Sequence, residues 1–185
     1  KNCQKILVTS NSFKKAVEER GVLGEKVAYW PQYAEDFYKP STYISDIVVK
    51  SDVFTIAFTG NIGTSQGLDI LPRTASLLRN INIRVRFLIV GDGRGMSLLH
   101  QLIKSEHVEE YFHFIPRQPP ERIPSILSAA DIALVAFADK PLFSMTLPAK
   151  VQSYMACGIP ILAAASGETK RVIEEAQCGY SCEPG

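Results

Sequence analysis

The sequence carries no surplus of charge of either sign. Twenty Lys and Arg stand against 19 Asp and Glu, and a net charge of +1 offers no broad attraction to nucleic acid or to an anionic membrane. An anionic ligand therefore has to be held by local geometry. Long hydrophobic runs are missing as well. The longest, Ile132–Ala138 and Ile159–Ala165, fall far short of the ~20 residues that a bilayer-spanning helix needs, and no secretory signal opens the chain, so a soluble chain without a transmembrane segment is expected. Cysteine is sparse. Cys3, Cys157, Cys178 and Cys182 suit a reduced, cytoplasmic protein better than a disulfide scaffold, because a chain of this size can bury its own core. Cys178 and Cys182 are spaced like half a metal site, but no second pair follows, and His100, His107 and His113 form no ligand pattern. A Ser–His–Asp triad cannot be assembled from the spacing, and Asp92, Asp131 and Asp139 all have turn or cap roles open to them, so no catalytic residue is identified.

What the sequence does hold is an ordinary globular composition, 46% hydrophobic and 21% charged over 185 residues, enough for one full-sized domain core with a short appendage. Short apolar, β-branched runs alternate with amphipathic stretches of helical length, the pattern of a Rossmann-like α/β fold with a parallel sheet and helices on both faces. The periodicity predicts a strand at Lys5–Thr9, a helix at Ser12–Arg20 capped by Ser10 or Asn11, and a strand at Lys26–Tyr29. Residues 31–52 have two prolines, scattered rings and no period, and read as a linker with room for a short helix. A longer series follows, with strands at Thr55–Thr59, Arg86–Val90, Phe112–Ile115, Ile132–Phe137 and Ile159–Ala164. The helices between and after them are predicted at Gly67–Leu78, Met96–Ser105, Ile123–Ala129, Ala149–Ala156 and Thr169–Gln177, with a long loop before Pro148.

In open α/β sheets ligands bind outside the carboxyl ends of the strands, so the loops there are the places to look for function. Gly60–Gly67 (GNIGTSQG) lets the backbone approach a ligand and leads toward a helix amino end, as in a phosphate cradle. It lacks the GK[ST] of a P-loop and the spacing of a dinucleotide fingerprint, and it reads equally as a plain tight turn. Gly91–Gly95 (GDGRG) reads as a turn in which Gly93 and Gly95 need positive φ. In Pro116–Arg122, Arg117 and Gln118 suit a base edge or a phosphate, while Arg122 fits a surface loop. The most specific segment is Phe143–Gly158. Pro148 at or near the first helical turn and Lys150 just inside it aim a helix amino end and a cation at one point, with Ser153 one turn on and Val151, Tyr154 and Met155 on the packed side. A lysine at a helix start is poorly placed for the dipole unless an anion binds there.

These segments, in this order, resemble the carboxyl-terminal lobe of family 4 glycosyltransferases of the two-lobed GT-B fold. The resemblance is carried by Gly60–Asp69, Phe87–Gly93, Phe114–Pro124, Ser128–Val135, Leu147–Glu168 and Glu174–Tyr180, and it covers roughly Phe54 to the end. It implies a donor-binding lobe at 54–185, a linker at 34–53 and a remnant of the amino-terminal lobe at 1–33, so that the chain reads as a truncated product. In that family the carboxyl-terminal lobe binds a nucleotide-diphosphate sugar, the other lobe presents a glycan or lipid-linked acceptor, and transfer retains anomeric configuration. The donor-binding residues implied here are Gly60, Asn61, Gly63, Gln66, Gly91, Asp92, Arg117, Gln118, Pro148, Lys150, Ser153 and Glu168. Gly63 and its neighbours would approach the diphosphate, Lys150 would help neutralise it, Arg117 and Gln118 would border the nucleoside, and Glu168 would touch the donor sugar or only cap a helix.

Two departures stand out. Many relatives carry Arg and Lys in the first loop, where this chain has Asn61 and Gln66, and two glutamates eight positions apart, where it has Met145 and Ser153. The resemblance implies a UDP-sugar donor, no cofactor, no divalent ion and no nucleic-acid partner. It further implies a full-length parent that works in cell-surface polysaccharide synthesis, in the cytoplasm or at the inner membrane face. The fragment is expected to bind without turnover. Rival readings are a nucleotide-sugar epimerase of the same fold, for which no acid and base residues are found, and a non-catalytic nucleotide-binding module; a dehydrogenase is disfavoured by the first βα turn.

Overall fold

The computed structural model describes residues 3–49 and 51–185; residues 1 and 2 of the expected amino-lobe remnant and residue 50 of the expected linker lie outside the described residues. The chain opens with β1 (Ile6–Val8), α1 (Asn11–Glu18) and β2 (Val27–Tyr29), and β1 pairs with β2 in parallel. Ser10 is the N-cap of α1, its hydroxyl accepting the Phe13 N–H at 3.1 Å. The helix ends at Glu18, not Arg20, and Gly21 follows at φ 83°.

The second series is β3 (Phe54–Asn61), α2 (Leu71–Asn80), β4 (Val85–Asp92), α3 (Met96–Glu106), β5 (Phe112–Ile115), α4 (Ile123–Leu127), β6 (Ile132–Ala136), α5 (Pro141–Ser144), α6 (Ala149–Ala156), β7 (Ile161–Ala164), α7 (Gly167–Glu175) and β8 (Gly179–Cys182). Six strands form one all-parallel sheet in the order β5-β4-β3-β6-β7-β8. Counted from β3, this is the doubly wound order 3-2-1-4-5-6, whose switch point falls between β3 and β6.

Alternation along the strands divides the core into two layers. Ile56 and Phe58 of β3 and Phe87 and Ile89 of β4 face α2 and α3, where Leu71, Ala75, Leu99 and Ile103 are buried. Ala57, Leu88 and Val90 face the other way, toward Ile126, Val151, Tyr154 and Ile173 of α4, α6 and α7. Strands covered on both faces in this way show the near-continuous apolar runs of the sequence.

Several expectations are corrected. β3 and β4 run past the predicted ends, so that Gly60 and Asn61 pair in register with Gly91 and Asp92; these four are the last rungs of the ladder rather than loop. The reason is steric, since a Cβ on Gly91 would lie 1.9 Å from the Gly60 carbonyl oxygen, and only glycine lets the strands continue together. α2 starts at Leu71, not Gly67. Gly67 is left-handed (φ 59°, ψ 27°) between two 3-10 turns, Thr64–Gln66 and Leu68–Ile70, and its backbone lies against Phe137, where a Cβ would meet the main chain at 2.9 Å. β7 begins at Ile161, because Pro160 has no N–H to give to a ladder. Gln177 stands at φ 51° beyond α7, which ends at Glu175. The long loop before Pro148 contains the short helix α5.

Among the described residues, 31–52 contain no helix. The stretch packs on the sheet rather than spanning open solvent: Val48 is buried with Ala57, Leu88 and Ile126, and the Ser45 N–H donates to the Ser125 carbonyl at 2.9 Å.

Candidate functional site

A cavity of about 570 Å³ opens at the carboxyl ends of β3 and β4. Eight of the residues singled out from sequence line it: Gly60, Asn61, Gly91, Asp92, Arg117, Gln118, Lys150 and Ser153. The other four do not. Gln66 touches Lys150, Pro148 caps α6, Gly63 lies under Asn61, and Glu168 is elsewhere.

Lys150 is brought to the cavity by α6. Pro148 is the N-cap (φ −76°, ψ 141°), so Lys150 sits in the first turn, where backbone N–H groups have no intrahelical acceptor. Its ammonium donates to Gln66 Oε1 at 2.6 Å and lies 3.8 Å from the centre of the Phe58 ring. Its Nζ is also the nearest atom, at 3.5 Å, to where a Cβ on Gly60 would stand. Among the described residues no carboxylate pairs with it, and burial pushes its pKa down to about 7. A positive charge held at such a cost is one that an anion would restore.

The strand ends are tied together beneath the cavity. Ile62 N–H donates to the Asp92 carbonyl and Gly95 N–H to the Ile62 carbonyl, both at 2.8 Å, and Asp92 Oδ1 accepts the Gly93 N–H at 2.7 Å. Gly95 has φ −81° and needs no positive φ, contrary to expectation; what favours glycine there is the tight approach of the Ile62 oxygen, 3.0 Å from where a Cβ would stand. Below them Tyr154, fully buried, accepts the Thr59 N–H at 2.9 Å, and burial raises its pKa to about 12.

On the loop after β5, Gln118 donates to the Pro116 carbonyl at 3.0 Å and accepts from Arg122 at 3.5 Å, while Arg117 is exposed; Arg122 also pairs with Asp46 at 2.8 Å. The Ser153 hydroxyl donates back to the Ala149 carbonyl at 3.2 Å. Met155, expected on the packed side of α6, is 37% exposed, whereas Val151 and Tyr154 are buried.

Glu168 has a different task. Its carboxylate accepts the Ser12 N–H at 2.7 Å and is clamped by Arg171 at 2.6 and 3.0 Å. Burial alone would raise its pKa, and the donors of Arg171 and Ser12 outweigh this and lower it. With Ser10 donating to the Met145 carbonyl at 2.6 Å, Glu168 fastens the amino end of α1 to α7.

Sequence reasoning missed Glu35 and Tyr38, which line the cavity from the segment before β3. No period or motif marks them in the sequence; in the structure they lie in a turn closed by the Tyr38 N–H and the Glu35 carbonyl at 2.9 Å. Among the described residues no three His, Cys, Asp or Glu side chains are grouped to hold a metal, and no helix is long and apolar enough to cross a membrane.

Comparison with known proteins gives a consistent result. Residues 42–185 match the family described as Glycosyl transferases group 1. The chain is 26% identical over 164 residues to WcaI of Escherichia coli K12, whose name places it in colanic acid biosynthesis; the match covers 85% of this chain and 39% of WcaI. It is 31% identical over 131 residues to D-inositol 3-phosphate glycosyltransferase of Nocardia farcinica, covering 67% of this chain and 28% of that enzyme. HepE of Anabaena, solved with UDP-glucose, shares the fold with a TM-score of 0.80 at 21% identity, over 99% of this chain and 50% of HepE. The chain thus spans half of that structure and less than two fifths of either curated relative.

Proposed function

Since the chain belongs to the group 1 glycosyl transferases, with the GT-B glycosyltransferase fold of its solved neighbours, we propose that its six-stranded unit is the donor-binding lobe of a hexosyltransferase, with the nucleotide-diphosphate sugar held in the cavity at the ends of β3 and β4. The observation that carries the reading is Lys150: a lysine in the first turn of α6, stripped of carboxylate partners and pressed against Phe58 and Gln66 beside the bare backbone of Gly60. That combination is costly without a ligand and suits a diphosphate. Gly60 and Gly91 present main chain without side chains, and Arg117 adds a second cation. Arg117 and Gln118 border the nucleoside. UDP is the favoured nucleotide, supported by the UDP-glucose bound to HepE.

In this reading the chemistry is departure of the nucleotide diphosphate. The bond from the sugar's anomeric carbon to the diphosphate oxygen breaks, and the acceptor oxygen takes its place with retention and gives up its proton to the departing diphosphate oxygen. Lys150, Arg117 and backbone N–H groups stabilise the negative charge that develops, without a divalent ion. The acceptor is a glycan or lipid-linked sugar presented by an amino-terminal lobe of which 1–33 is the remnant, joined through 34–53; this chain alone binds and does not turn over. The parent acts on cell-surface polysaccharide in the cytoplasm or at the inner membrane face, a reading supported by the name of WcaI.

Calorimetric titration with UDP, GDP and their sugar conjugates is the test. Saturable binding of one nucleotide is expected; a chain that binds none of them overturns the proposal.

A further inference from the structure

The amino ends of β3 and β4 open into a second cavity, of about 530 Å³, and no residue lines both it and the first. Arg86 and Asp92, one in each, stand six residues apart on β4, roughly 20 Å at strand spacing. Three guanidiniums line the second cavity. Arg79 comes from the last turn of α2, Arg84 from the loop that follows and Arg86 from β4, and among the described residues none of them forms an ion pair. The acceptors they do have are neutral. Arg79 donates to the His107 carbonyl and, at 3.5 Å, to the Ser76 hydroxyl; Arg86 donates to the Thr55 hydroxyl at 3.2 Å and to the Val49 carbonyl. Arg86 Nη2 is buried with no acceptor among the described residues, and burial lowers the pKa of this guanidinium while the charge of Asp131 raises it.

Two acids are at hand, and neither discharges the cluster. Asp131 Oδ2 already accepts the Thr55 N–H at 2.7 Å, and Glu110, exposed on the cavity wall, pairs with none of the three arginines. Tyr111 adds a fourth donor. It is only 7% exposed, its ring is part of the core, and its hydroxyl has no partner among the described residues. Arg86 Nη2 is the one buried side-chain nitrogen or oxygen left partnerless among those residues, so the Tyr111 hydroxyl reaches open space, and the cavity is the space that Tyr111 lines. The donors converge from the end of α2, from β4 and from the turn before β5, directions that suit a tetrahedral group better than a planar carboxylate, which one guanidinium fork can satisfy. Charge agrees: three guanidiniums less the Glu110 carboxylate leave about +2, and a phosphate monoester carries close to −2 at neutral pH.

We propose that this cavity at the amino ends of β3 and β4 is a second ligand site, binding a phosphate monoester through Arg79, Arg84, Arg86 and Tyr111. It goes beyond the donor-lobe reading and does not depend on it. The monoester can be carried by a small soluble molecule or by a lipid headgroup, whose acyl chains would meet the exposed side chains of Ile81 and Ile83 on either side of Asn82 at the cavity wall.

The test uses this chain with two probes at constant ionic strength: calorimetry with glycerol 3-phosphate, and flotation with phosphatidylcholine vesicles that contain or lack phosphatidic acid, the diacyl form of the same ester. The unmodified protein is compared with Arg84→Gln, Tyr111→Phe and Lys150→Ala. Saturable binding is expected, weakened about ten-fold or more by Arg84→Gln and several-fold by Tyr111→Phe, and unchanged by Lys150→Ala. Binding of glycerol 3-phosphate identifies a soluble ester as the source; binding of the phosphatidic acid vesicles alone identifies a lipid headgroup. Arg84 is exposed and Tyr111→Phe keeps the buried ring, so an unchanged melting temperature establishes that both variants fold. The proposal is overturned if neither probe binds, or if binding survives Arg84→Gln. UDP binding, which Arg84→Gln should leave as it was, tests the donor-lobe reading separately.

Discussion

Lys150 enters the cavity with its charge half surrendered, and its titration gives the site a pH signature. Burial brings its pKa down to about 7, while the unfolded chain holds the proton to the ordinary lysine range near 10.5. The resulting penalty on folding is complete below the folded value and fades as pH rises toward the unfolded one, so this group makes the protein more stable with rising pH across that window. Ligand binding runs the other way. A diphosphate favours the ammonium, so binding at pH 8 should take up protons and affinity should fall as pH climbs above about 7; titrations in buffers of different ionisation enthalpy would read the uptake directly. Lys150→Ala should weaken UDP by about 1–3 kcal/mol and flatten this pH dependence, and unchanged affinity would remove Lys150 from the site. Chelation with EDTA should leave UDP binding as it was. At this scale the sequence was legible where local chemistry was in conflict with itself: a lysine in a first helical turn is a misfit that asks for an anion. Glu35 and Tyr38 were illegible because nothing local is wrong with them. Glu168 was half legible: its place at a helix start read as a possible cap, but the N–H it caps belongs to a residue 156 positions away.

The strands and helices were largely legible from period alone, and the exceptions have particular causes. β8 (GYSC) is four residues with no apolar alternation, held in the sheet by pairing with β7, where the Gly179 backbone lies flat against Ile161 and a Cβ would come within 1.8 Å of its oxygen. The extra rungs of β3 and β4 hid behind glycine, which ordinarily reads as the end of a strand. Here the pair Gly60–Gly91 is what permits extension. Gly91→Ala, at φ 144° and with no room for a Cβ, should cost several kcal/mol in urea unfolding and disturb the cavity floor; a loss within 0.5 kcal/mol would contradict the close approach. Tyr154 ties α6 to the same end of β3. Tyr154→Phe keeps the ring and deletes the acceptor of the Thr59 N–H, so a loss of about 1–3 kcal/mol is expected in the same measurement.

For the molecule as a whole, the polar contacts that join the appended β1–α1–β2 unit to the rest are, among the described residues, chiefly those of Ser12 and Ser10 with Glu168 and Met145. Glu168→Ala should therefore speed hydrogen exchange in α1 while leaving β3 and β4 protected, and equal protection in both proteins would show that the clasp is not needed. The doubly wound order itself was legible as a class, since alternating strands and helices admit little else, but the seating of residues 31–52 was not, because an aperiodic stretch carries no sign of what it lies upon. The strand order also has a consequence for how the chain comes into being. β3 is the centre of the sheet, yet its second neighbour, β6, begins about 70 residues after β3 ends. At ribosomal rates of roughly 5–20 residues per second, one flank of β3 remains open for some seconds of synthesis, while β3, β4 and β5 already exist. Until β6 and then α6 emerge, a nascent chain presents a half-built sheet with the Thr59 side of β3 uncovered, and that interval is when it is most exposed to capture by chaperones or by its own kind.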